Sequence, residues 1–266
     1  MTIPASQRRT TFDQVALLYH QVRPGYPEAL FEDIVAFSHL PPTGRLVEIG
    51  CGTGQATLPF ARRGYEIDCI ELGENLAAVA RHNLMTYPKV KVSIGTFESW
   101  PLEKGVYDLL IAATSFHWID PAVRYQKASQ VLKPEGMIAL FWNCHVQTEV
   151  SASFFEAVQR VYLRDLPAIA RKSPGLPHPS SISSPIVEEI KQSGLFGEVT
   201  VLRYPWNAVY DSVAYVNLLN TYSDHISLDA EVRDRLLDGI AELIEKEFNN
   251  RITKEYLTLL YLAGKK

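Results

Sequence analysis

The stretch Val47-Glu48-Ile49-Gly50-Cys51-Gly52-Thr53-Gly54-Gln55 decides the fold of this chain. An apolar strand leads into a turn that has glycine at every second position. Glycine lacks a Cβ, so the turn can adopt positive φ and approach a ligand closely, while the following helix offers free N–H groups to negative charge. The turn therefore predicts a nucleotide-like ligand at the end of the strand.

The spacing of the glycines narrows the class of ligand. A dinucleotide-binding loop requires glycine or alanine three residues after its second glycine, but Gln55 occupies that position here. The third glycine, Gly54, comes one residue early. This spacing disfavours a nicotinamide or flavin dinucleotide.

Two acids accompany the glycine turn. Glu71 ends the next predicted strand, close to where a carboxylate that binds both ribose hydroxyls is expected, although a solvated helix N-cap ahead of Glu74–Asn83 is an alternative. Glu48 lies inside the apolar strand, where an acid is costly to bury without a partner. We therefore expect Glu48 to bond to the loop backbone or to a ligand ammonium.

Strand-like and helix-like segments alternate through most of the chain. The predicted strands are Leu46–Ile49, Glu66–Glu71, Val90–Ile94, Tyr107–Ala113, Met137–Trp142, Glu198–Trp206 and Glu255–Ala263. The predicted helices are Phe12–Tyr19, Pro27–Phe37, Leu58–Arg63, Glu74–Leu84, Pro121–Leu132, Phe154–Leu163, Pro185–Gly194, Ser212–Tyr222 and Asp229–Phe248. This alternation predicts an α/β fold with a doubly wound, mostly parallel sheet of seven strands.

Composition and charge argue against several classes of function. The 266 residues include 26 basic and 30 acidic ones, with no dense basic run, so no nucleic-acid partner is expected. No apolar run reaches membrane-spanning length, and Met1–Thr11 lacks the apolar stretch of a secretory leader. Three cysteines without paired spacing suit a reducing cytoplasm, and the histidines give no metal-ligand spacing. We expect a cytoplasmic protein, a monomer or weak homodimer, with no metal and no membrane partner.

Five motifs in order give the chain a family resemblance. They are Glu48-x-Gly-x-Gly-x-Gly54, Glu71, Gly95-Thr96-Phe97-Glu98-Ser99-Trp100-Pro101, Tyr107–Ala113 and Leu132-Lys133-Pro134-Glu135-Gly136. Over residues 43–143 the chain resembles class I S-adenosylmethionine-dependent methyltransferases. Two further segments, Tyr19-x-x-x-Arg23-Pro24-Gly25-Tyr26-Pro27 and Ser115-Phe116-His117-Trp118-Ile119-Asp120, resemble the trans-aconitate methyltransferase-like group, which has a type 11 methyltransferase domain. Beyond residue 146 the match is mostly architectural.

The resemblance implies a Rossmann-like fold with a helical cap and S-adenosylmethionine as cofactor. It divides the chain into an N-terminal helical cap (1–40), a cofactor-binding core (41–145) and the C-terminal half of the sheet (146–266), with a helical cap insertion at about 211–250. The insertion and the N-terminal helix are expected to form a lid. Prolines and serines over Ser173–Ser184 predict a mobile surface loop.

The resemblance also implies the residues that bind the cofactor, at the carboxyl ends of the strands. They are Tyr19, Arg23, Glu48, Gly50, Cys51, Gly52, Gly54, Glu71, Leu72, Thr96, Phe97, Glu98 and Thr114. Family members often have an acid at position 96 for the adenine amino group, so Thr96 is a departure, and the backbone there or the carboxylate of Glu98 is expected to replace it. Arg23 is expected to bind the cofactor carboxylate or an acidic substrate, with a surface ion pair as the alternative.

The acceptor side of the site is expected to contain His117, Trp118 and Tyr222. His117 is the candidate catalytic residue, as a proton acceptor or a substrate hydrogen bond, and the alternative is a histidine that caps the strand and stacks on Trp118. Core packing of an amphipathic helix is the alternative for Tyr222.

The sequence thus predicts an enzyme that transfers a methyl group from S-adenosylmethionine to a small-molecule acceptor, a carboxylate or a hydroxyl. A carboxylate needs no base, whereas a hydroxyl, an amine or a carbon acid would use His117. The alternatives are a non-catalytic S-adenosylmethionine-binding regulator and, less favoured, a nucleotide-dependent oxidoreductase.

Overall fold

A computed structural model describes residues 12–101, 103–171 and 175–266 and contains one seven-stranded sheet. The strands are β1 (Arg45–Ile49), β2 (Glu66–Glu71), β3 (Val90–Ile94), β4 (Tyr107–Ala113), β5 (Leu132–Val146), β6 (Thr200–Tyr210) and β7 (Ile252–Gly264). Their order across the sheet is β3-β2-β1-β4-β5-β7-β6. The pairs among β1 to β5 are parallel, and β7 runs antiparallel to β5 and β6. The predicted doubly wound, mostly parallel sheet is confirmed.

Helices cover both faces of the sheet and one of its ends. They are α1 (Ala16–Val22), α2 (Glu28–Phe37), α3 (Thr57–Arg62), α4 (Glu74–Asn83), α5 (Arg124–Val131), α6 (Glu149–Asp165), α7 (Pro167–Ala170), α8 (Ile186–Ser193), α9 (Ser212–Leu219), α10 (Ser223–Ile226) and α11 (Ala230–Glu247). Three short 3₁₀ helices span Phe12–Val15, Phe116–Trp118 and Pro179–Ser181. Within the described ranges, no helix is both long enough and apolar enough to cross a membrane.

The sheet separates two hydrophobic cores. On β1, Leu46 and Val47 are both fully buried but belong to different cores, because successive side chains of a strand point to opposite faces. Leu109 and Leu110 divide in the same way on β4. Burial of each such side chain contributes about 1.5–3 kcal/mol. The predicted bounds of β2, β3 and β4 match the structure. Strand β4 is covered on both faces and is a nearly continuous apolar run, which explains why its bounds can be predicted.

Strand β5 is longer than its predicted range Met137–Trp142. Its pairing with β7 continues from Met137 opposite Gly264 to Val146 opposite Glu255. The prediction stopped early because residues 143–146 are polar or mixed, and their extended conformation depends on a partner more than a hundred residues away in the chain. The strand also begins earlier, since Leu132 pairs with Tyr107 before the register shifts.

Two prolines lie just before the helices that were predicted to start with them. Pro27 is extended, with ψ of 137°, and α2 begins at the next residue. Pro121 lies in a turn in which the carbonyl of Asp120 accepts from the N–H groups of Val123 and Arg124, at 2.9 and 3.0 Å. In both places proline lies within three residues of the helix start, but local hydrogen bonds decide which residue is the first helical one.

A third hydrophobic cluster lies beyond the sheet, between α6, α9 and α11. Phe154, Leu218 and Ile240 are among its buried members, and Tyr256 of β7 connects it to the sheet. The predicted helix Ser212–Tyr222 ends earlier, at Leu219, and a turn separates it from the short helix α10 that begins at Ser223. Helix α1 packs against α9, so the N-terminal segment and the insertion between β6 and β7 contact each other.

Two sequence expectations fall at least partly outside the described residues. The segment Met1–Thr11, in which no secretory leader is expected, lies wholly outside them, and the predicted loop Ser173–Ser184 lies partly outside. Within the described part of that loop, Pro179–Ser181 forms a single 3₁₀ turn.

Lys254, near the start of β7, is a buried lysine. The residue is 2% exposed, and its nitrogen lies 5.1 and 5.3 Å from the ring centroids of Phe155 and Tyr256. Burial lowers the pKa of Lys254 to about 8. Within the described ranges, no carboxylate forms an ion pair with it that would offset the cost of burying the charge.

We expect Lys254→Met to raise the free energy of unfolding at neutral pH by about 1–3 kcal/mol. Below pH 8 the lysine holds its proton in both folded and unfolded protein, so the penalty is complete. Between pH 8 and about 10.4 only the unfolded chain binds the proton, so the wild type gains stability relative to the variant and the difference closes.

Urea unfolding of both proteins at about pH 7, 9 and 10.5 measures this difference. Lys246→Met is the matched control, because the side chain of Lys246 is 72% exposed and its replacement should change stability little at any of these pH values. A gain from Lys254→Met that is equally large at the highest pH would contradict the explanation.

Candidate cofactor and acceptor site

The glycine turn between β1 and α3 adopts left-handed backbone conformations. Gly50, Gly52 and Gly54 have φ of 67°, 57° and 87°. A Cβ on Gly50 would lie 2.6 Å from the Cβ of Ser115, and one on Gly54 would lie 2.9 Å from a methyl carbon of Leu84. A Cβ on Gly52 would meet nothing nearer than 3.9 Å. Two of the glycines are therefore required by packing within the protein, and Gly52 leaves open space for a ligand.

Glu71 joins the end of β2 to this glycine turn. One carboxylate oxygen accepts from the N–H of Gly52 at 2.7 Å, and the other accepts from the N–H of Gly73 at 2.9 Å. Burial raises the pKa of Glu71, while hydrogen bonds from the backbone of Gly73, Gly52 and Leu72 oppose that rise. Glu71 is 6% exposed, so it is a buried structural link and not a solvated helix cap.

Glu48 lies on β1 beneath the turn and is fully buried. One of its oxygens accepts from the hydroxyl of Thr57 at 2.6 Å, and the other has no hydrogen-bond partner among the described residues. Burial raises the pKa of Glu48 to about 7, the hydrogen bond from Thr57 opposes this, and the nearby charge of Glu71 adds to it. The buried carboxyl thus bonds to a helix hydroxyl rather than to the loop backbone.

A cavity with about 910 Å³ of empty space, part of it continuous with solvent, opens at the carboxyl ends of β1, β2 and β4. We call it the strand-end cavity. Predicted site residues that line it are Tyr19, Arg23, Gly50, Gly52, Glu71, Leu72, Thr96, Phe97, Glu98, Thr114, His117 and Trp118. Predicted site residues outside its lining are Glu48, Cys51, Gly54 and Tyr222. The remaining lining residues are Phe12, Ile49, Ile70, Leu76, Gly95, Ala113, Ser115 and Ile119.

The lining residues that the motif analysis missed are mostly apolar. Phe12 and Leu76 lie in none of the quoted motifs, whereas Ile119 lies in the quoted segment Ser115–Asp120 but was not assigned to the site. Ile70 and Ile119 could have been identified only because they are sequence neighbours of the predicted site residues Glu71 and Trp118. Apolar walls of this kind suit the flat faces of a nucleobase.

Arg23 connects the strand-end cavity to the cap. Its Nε donates to the hydroxyl of Thr221 at 2.8 Å, and its Nη2 donates to the Thr221 carbonyl at 2.7 Å. The guanidinium lies 4.5 Å from the ring centroid of Tyr222, 5.0 Å from that of Tyr19 and 5.7 Å from that of Phe12. Arg23 is therefore held between aromatic rings, and among the described residues it forms no surface ion pair.

Tyr222 lies behind Arg23, away from the strand-end cavity. Its ring stacks on that of His145 with centroids 5.4 Å apart, and its hydroxyl lies 3.4 Å from His145 Nε2. Burial lowers the pKa of His145 to about 3. Tyr222 thus supports Arg23 from the cap and packs in the third hydrophobic cluster.

In the segment after β3, the polar side chains of Thr96 and Glu98 hydrogen-bond to nearby backbone N–H groups. The hydroxyl of Thr96 accepts from the N–H of Ser99 at 3.1 Å, and one oxygen of Glu98 accepts from the N–H of Asp120 at 3.3 Å. Phe97 is 2% exposed and belongs to a core cluster while also lining the cavity. Trp100 packs against the same core and lies outside the lining.

The acceptor loop, Thr114–Trp118, begins with backbone that is unusual for a residue with a side chain. Thr114 has φ of 56°, and its hydroxyl hydrogen-bonds to that of Tyr26 at 2.9 Å. Ser115 donates its hydroxyl to the carbonyl of Ile49 at the end of β1. The acceptor loop is thus attached both to the N-terminal segment and to the glycine turn.

His117 lies in the 3₁₀ turn that follows and is exposed to the strand-end cavity. Its Nδ1 lies 3.1 Å from the indole Nε1 of Trp142, and its ring centroid is 4.6 Å from that of Trp118. Partial burial lowers the pKa of His117, and the positive charge of Arg124 lowers it further. Both effects favour the neutral imidazole, and its ring lies tilted against that of Trp118, with an angle of 42° between the ring planes.

Histidine, cysteine and acidic side chains do not cluster as metal ligands in the described ranges. His20, the other histidine near the site, contacts the hydroxyl of Thr53 through Nδ1 at 3.2 Å. The thiols of Cys51 and Cys69 are buried, that of Cys144 is half-buried, and all three are free.

Comparisons with known proteins agree with this arrangement. Residues 47–140 match a family described as a methyltransferase domain. An uncharacterized methyltransferase of Mycobacterium tuberculosis is 24% identical over 244 residues, covering 92% of this chain and 89% of that protein. An uncharacterized methyltransferase-like protein of Schizosaccharomyces pombe is 26% identical over 263 residues, covering 96% and 95%.

Solved structures show the same fold. A proposed type II methyltransferase from Anaeromyxobacter dehalogenans has a TM-score of 0.61 and 22% identity, covering 91% of this chain and 97% of that one. A Haemonchus contortus phosphoethanolamine N-methyltransferase, solved with S-adenosylhomocysteine, has a TM-score of 0.56 and 16% identity, covering 99% and 60%. The narrower resemblance to trans-aconitate methyltransferases stays a prediction. Residues 47–140 thus match a methyltransferase domain, and this match, the relatives and the fold together support a class I S-adenosylmethionine-dependent methyltransferase.

Proposed function

We propose that the strand-end cavity binds S-adenosylmethionine and that the protein methylates an oxygen atom of a small molecule. The favoured acceptor group is a carboxylate. One observation carries this proposal. A buried carboxylate, an open glycine and a neutral histidine face one cavity from three different strand ends, namely Glu71, Gly52 and His117. The first two suit a nucleoside, and the third suits an acceptor.

The lining residues fit the cofactor. The two oxygens of Glu71 accept from the N–H groups of Gly52 and Gly73, and a carboxylate oxygen can accept a second hydrogen bond, here from a ribose hydroxyl. Leu72 and Ile119 would pack on the adenine faces, and Gly52 lets the backbone approach. Arg23 has its Nε and Nη2 bonded to Thr221, so Nη1 is the nitrogen left for a carboxylate of the cofactor or acceptor.

The acceptor chemistry follows from what His117 can donate. When bound, S-adenosylmethionine supplies a methyl group activated by its sulfonium charge. A carboxylate is already ionised at neutral pH, so the protein need only orient it, exclude water and offer a hydrogen bond. His117 offers such a bond, and Trp118 would pack against the acceptor beside it.

One relative supports an oxygen acceptor. A malonyl-[acyl-carrier protein] O-methyltransferase of Geobacter sulfurreducens is 31% identical over 121 residues. The match covers 44% of this chain and 45% of that protein. That relative is named for methyl transfer to oxygen. We carry over to this chain only the oxygen as the acceptor atom, and not the malonyl substrate.

We also propose a lid composed of the N-terminal segment 1–40 and the insertion at about 211–250, over the core 41–145 and the C-terminal half 146–266. The bonds from Arg23 to Thr221 support the idea that these two parts move together. A cytoplasmic location is supported by the three free cysteines. We propose further that the protein is a monomer or a weak homodimer and that it binds neither nucleic acid nor membranes.

The first test of the cofactor site uses Glu71→Ala. We expect binding of S-adenosylmethionine, measured by calorimetry, to weaken by about 1.5–3 kcal/mol, because hydrogen bonds to a charged group are lost. The variant also frees the N–H groups of Gly52 and Gly73, so ribose recognition must be measured separately. The wild type should prefer adenosine to 2′,3′-dideoxyadenosine, and Glu71→Ala should not. Equal discrimination by both proteins would reject the ribose contact.

Gly52→Val tests whether the glycine turn holds the cofactor. The new side chain should block the strand-end cavity and abolish binding. Gly64→Val is the matched control, since Gly64 also has positive φ, 83°, and a Cβ there meets no atom within 4 Å. Both variants should lose a similar stability, about 1–2 kcal/mol, from backbone strain. The idea fails if Gly52→Val binds S-adenosylmethionine as Gly64→Val does.

His117→Gln tests the acceptor class on a panel of carboxylates and alcohols. With a carboxylate acceptor, KM should rise about 3–10-fold while the pH dependence of kcat stays unchanged, because a positioning hydrogen bond is lost. If the physiological acceptor were instead a hydroxyl with His117 as its base, the rate should fall about 10²–10⁴-fold. His82→Gln, an exposed change on α4, is the control. If His117→Gln has the same kinetics as the wild type with every acceptor, then His117 only caps the strand and takes no part in catalysis.

A further inference from the structure

Trp142 is the residue that bonds to His117, and neither the motifs nor the cavity lining includes it. It lies on β5, and its indole Nε1 is 3.1 Å from His117 Nδ1. Indole nitrogen can only donate, so Nδ1 of His117 must accept. A neutral imidazole that accepts at Nδ1 carries its proton on Nε2.

The position of Trp142 is fixed by the sheet. Its strand is paired on both sides, with Phe141 opposite Ala113 of β4 and Trp142 opposite Leu259 of β7. The indole packs against a core cluster and makes an edge contact with the ring of Tyr261, with centroids 5.8 Å apart. A donor held this firmly selects one orientation of its partner.

The position of His117 is fixed from the other side. Phe116, its neighbour in the 3₁₀ turn, is fully buried and contacts the ring of Tyr125 at 5.2 Å between centroids. Trp118 packs on the imidazole. With Nδ1 bonded to Trp142, Nε2 is the ring nitrogen that remains available to a ligand in the strand-end cavity.

Burial and, after it, a nearby positive charge both favour a neutral imidazole. Arg124 on α5 lowers the pKa of His117, and it is itself paired with Glu189 on α8. The other titratable groups that line the cavity are Tyr19, Arg23, Glu71 and Glu98. Among the described residues, none of these carboxylates hydrogen-bonds to the imidazole, so nothing favours a second proton on the ring.

From these contacts we infer that Trp142 is a positioning residue that holds His117 in the Nε2–H tautomer and thereby makes the site selective for anionic oxygen acceptors over hydroxyl acceptors. The inference rests on the proposed methyl transfer to oxygen. Forming a methyl ester from a carboxylate releases no proton, and the Nε2–H group can donate to the anion. Forming a methyl ether from a hydroxyl releases a proton, which Nε2 cannot accept while it carries its own.

The tautomer can be measured directly by NMR on protein with ¹⁵N-labelled histidine, with the His117 signals assigned by their absence in His117→Gln. We expect wild-type His117 to be the Nε2–H form near neutral pH. Trp142→Phe removes the donor and keeps an aromatic ring, so it should produce a mixture of tautomers and raise the pKa of His117. Trp206→Phe is the matched control, because its indole donates instead to Thr258 of β7 at 2.8 Å, and it should leave His117 unchanged.

Kinetics supply the second readout. Trp142→Phe should lower the ratio of kcat/KM for carboxylate over hydroxyl acceptors by about 10-fold, the effect of one hydrogen bond. An Nδ1–H tautomer in the wild type, or an unchanged tautomer in Trp142→Phe, would overturn the inference whether or not the protein transfers methyl groups. The wild-type spectrum decides this even if Trp142→Phe does not fold. The expected tautomer together with no methylation of any acceptor would instead reject the proposed function and, with it, the selectivity.

Discussion

The two hydrogen bonds accepted by Glu71 are the constraint on which the cofactor side of the site depends. They tie the end of β2 to the glycine turn that follows β1, at Gly52, and to the start of α4, at Gly73. Three pieces of backbone therefore meet at one buried carboxylate. Their N–H groups would otherwise remain unpaired away from water, at a cost of about 1–3 kcal/mol each. The shape of the turn is built into the protein before any ligand arrives.

The acceptor side depends on longer connections. Arg23 spans from the N-terminal segment to Thr221, 198 residues further along the chain, and Asn143 donates to the carbonyl of Gly25 at 3.0 Å. Gln55, the residue that excludes a dinucleotide loop, donates to the carbonyl of Arg23 at 3.1 Å. The connector between α1 and α2 is thus held by the glycine turn, the sheet and the cap together.

The sequence predicts most of the central fold because its signals are local. Buried parallel strands are short apolar runs, and the rule that ligands bind at strand ends correctly groups Gly52, Glu71 and His117 around one cavity. The extent of β5 and the place of Tyr222 depend on distant partners, which no spacing reveals. The same holds for Trp142, whose importance lies in a bond to a residue on another strand end. Side-chain depth and direction are decided by packing, and a single sequence contains little information on them.

Gly50 has a consequence for how this protein can evolve. Its missing Cβ lets Ser115 lie against the glycine turn, and the Ser115 hydroxyl bonds to Ile49 at the end of β1. The glycine turn and the loop Thr114–Trp118 are thereby one mechanical unit, whose two halves cannot slide apart independently. New acceptors would then be accommodated by changes in the cap, which forms the other wall, while the distance over which the methyl group travels is inherited unchanged.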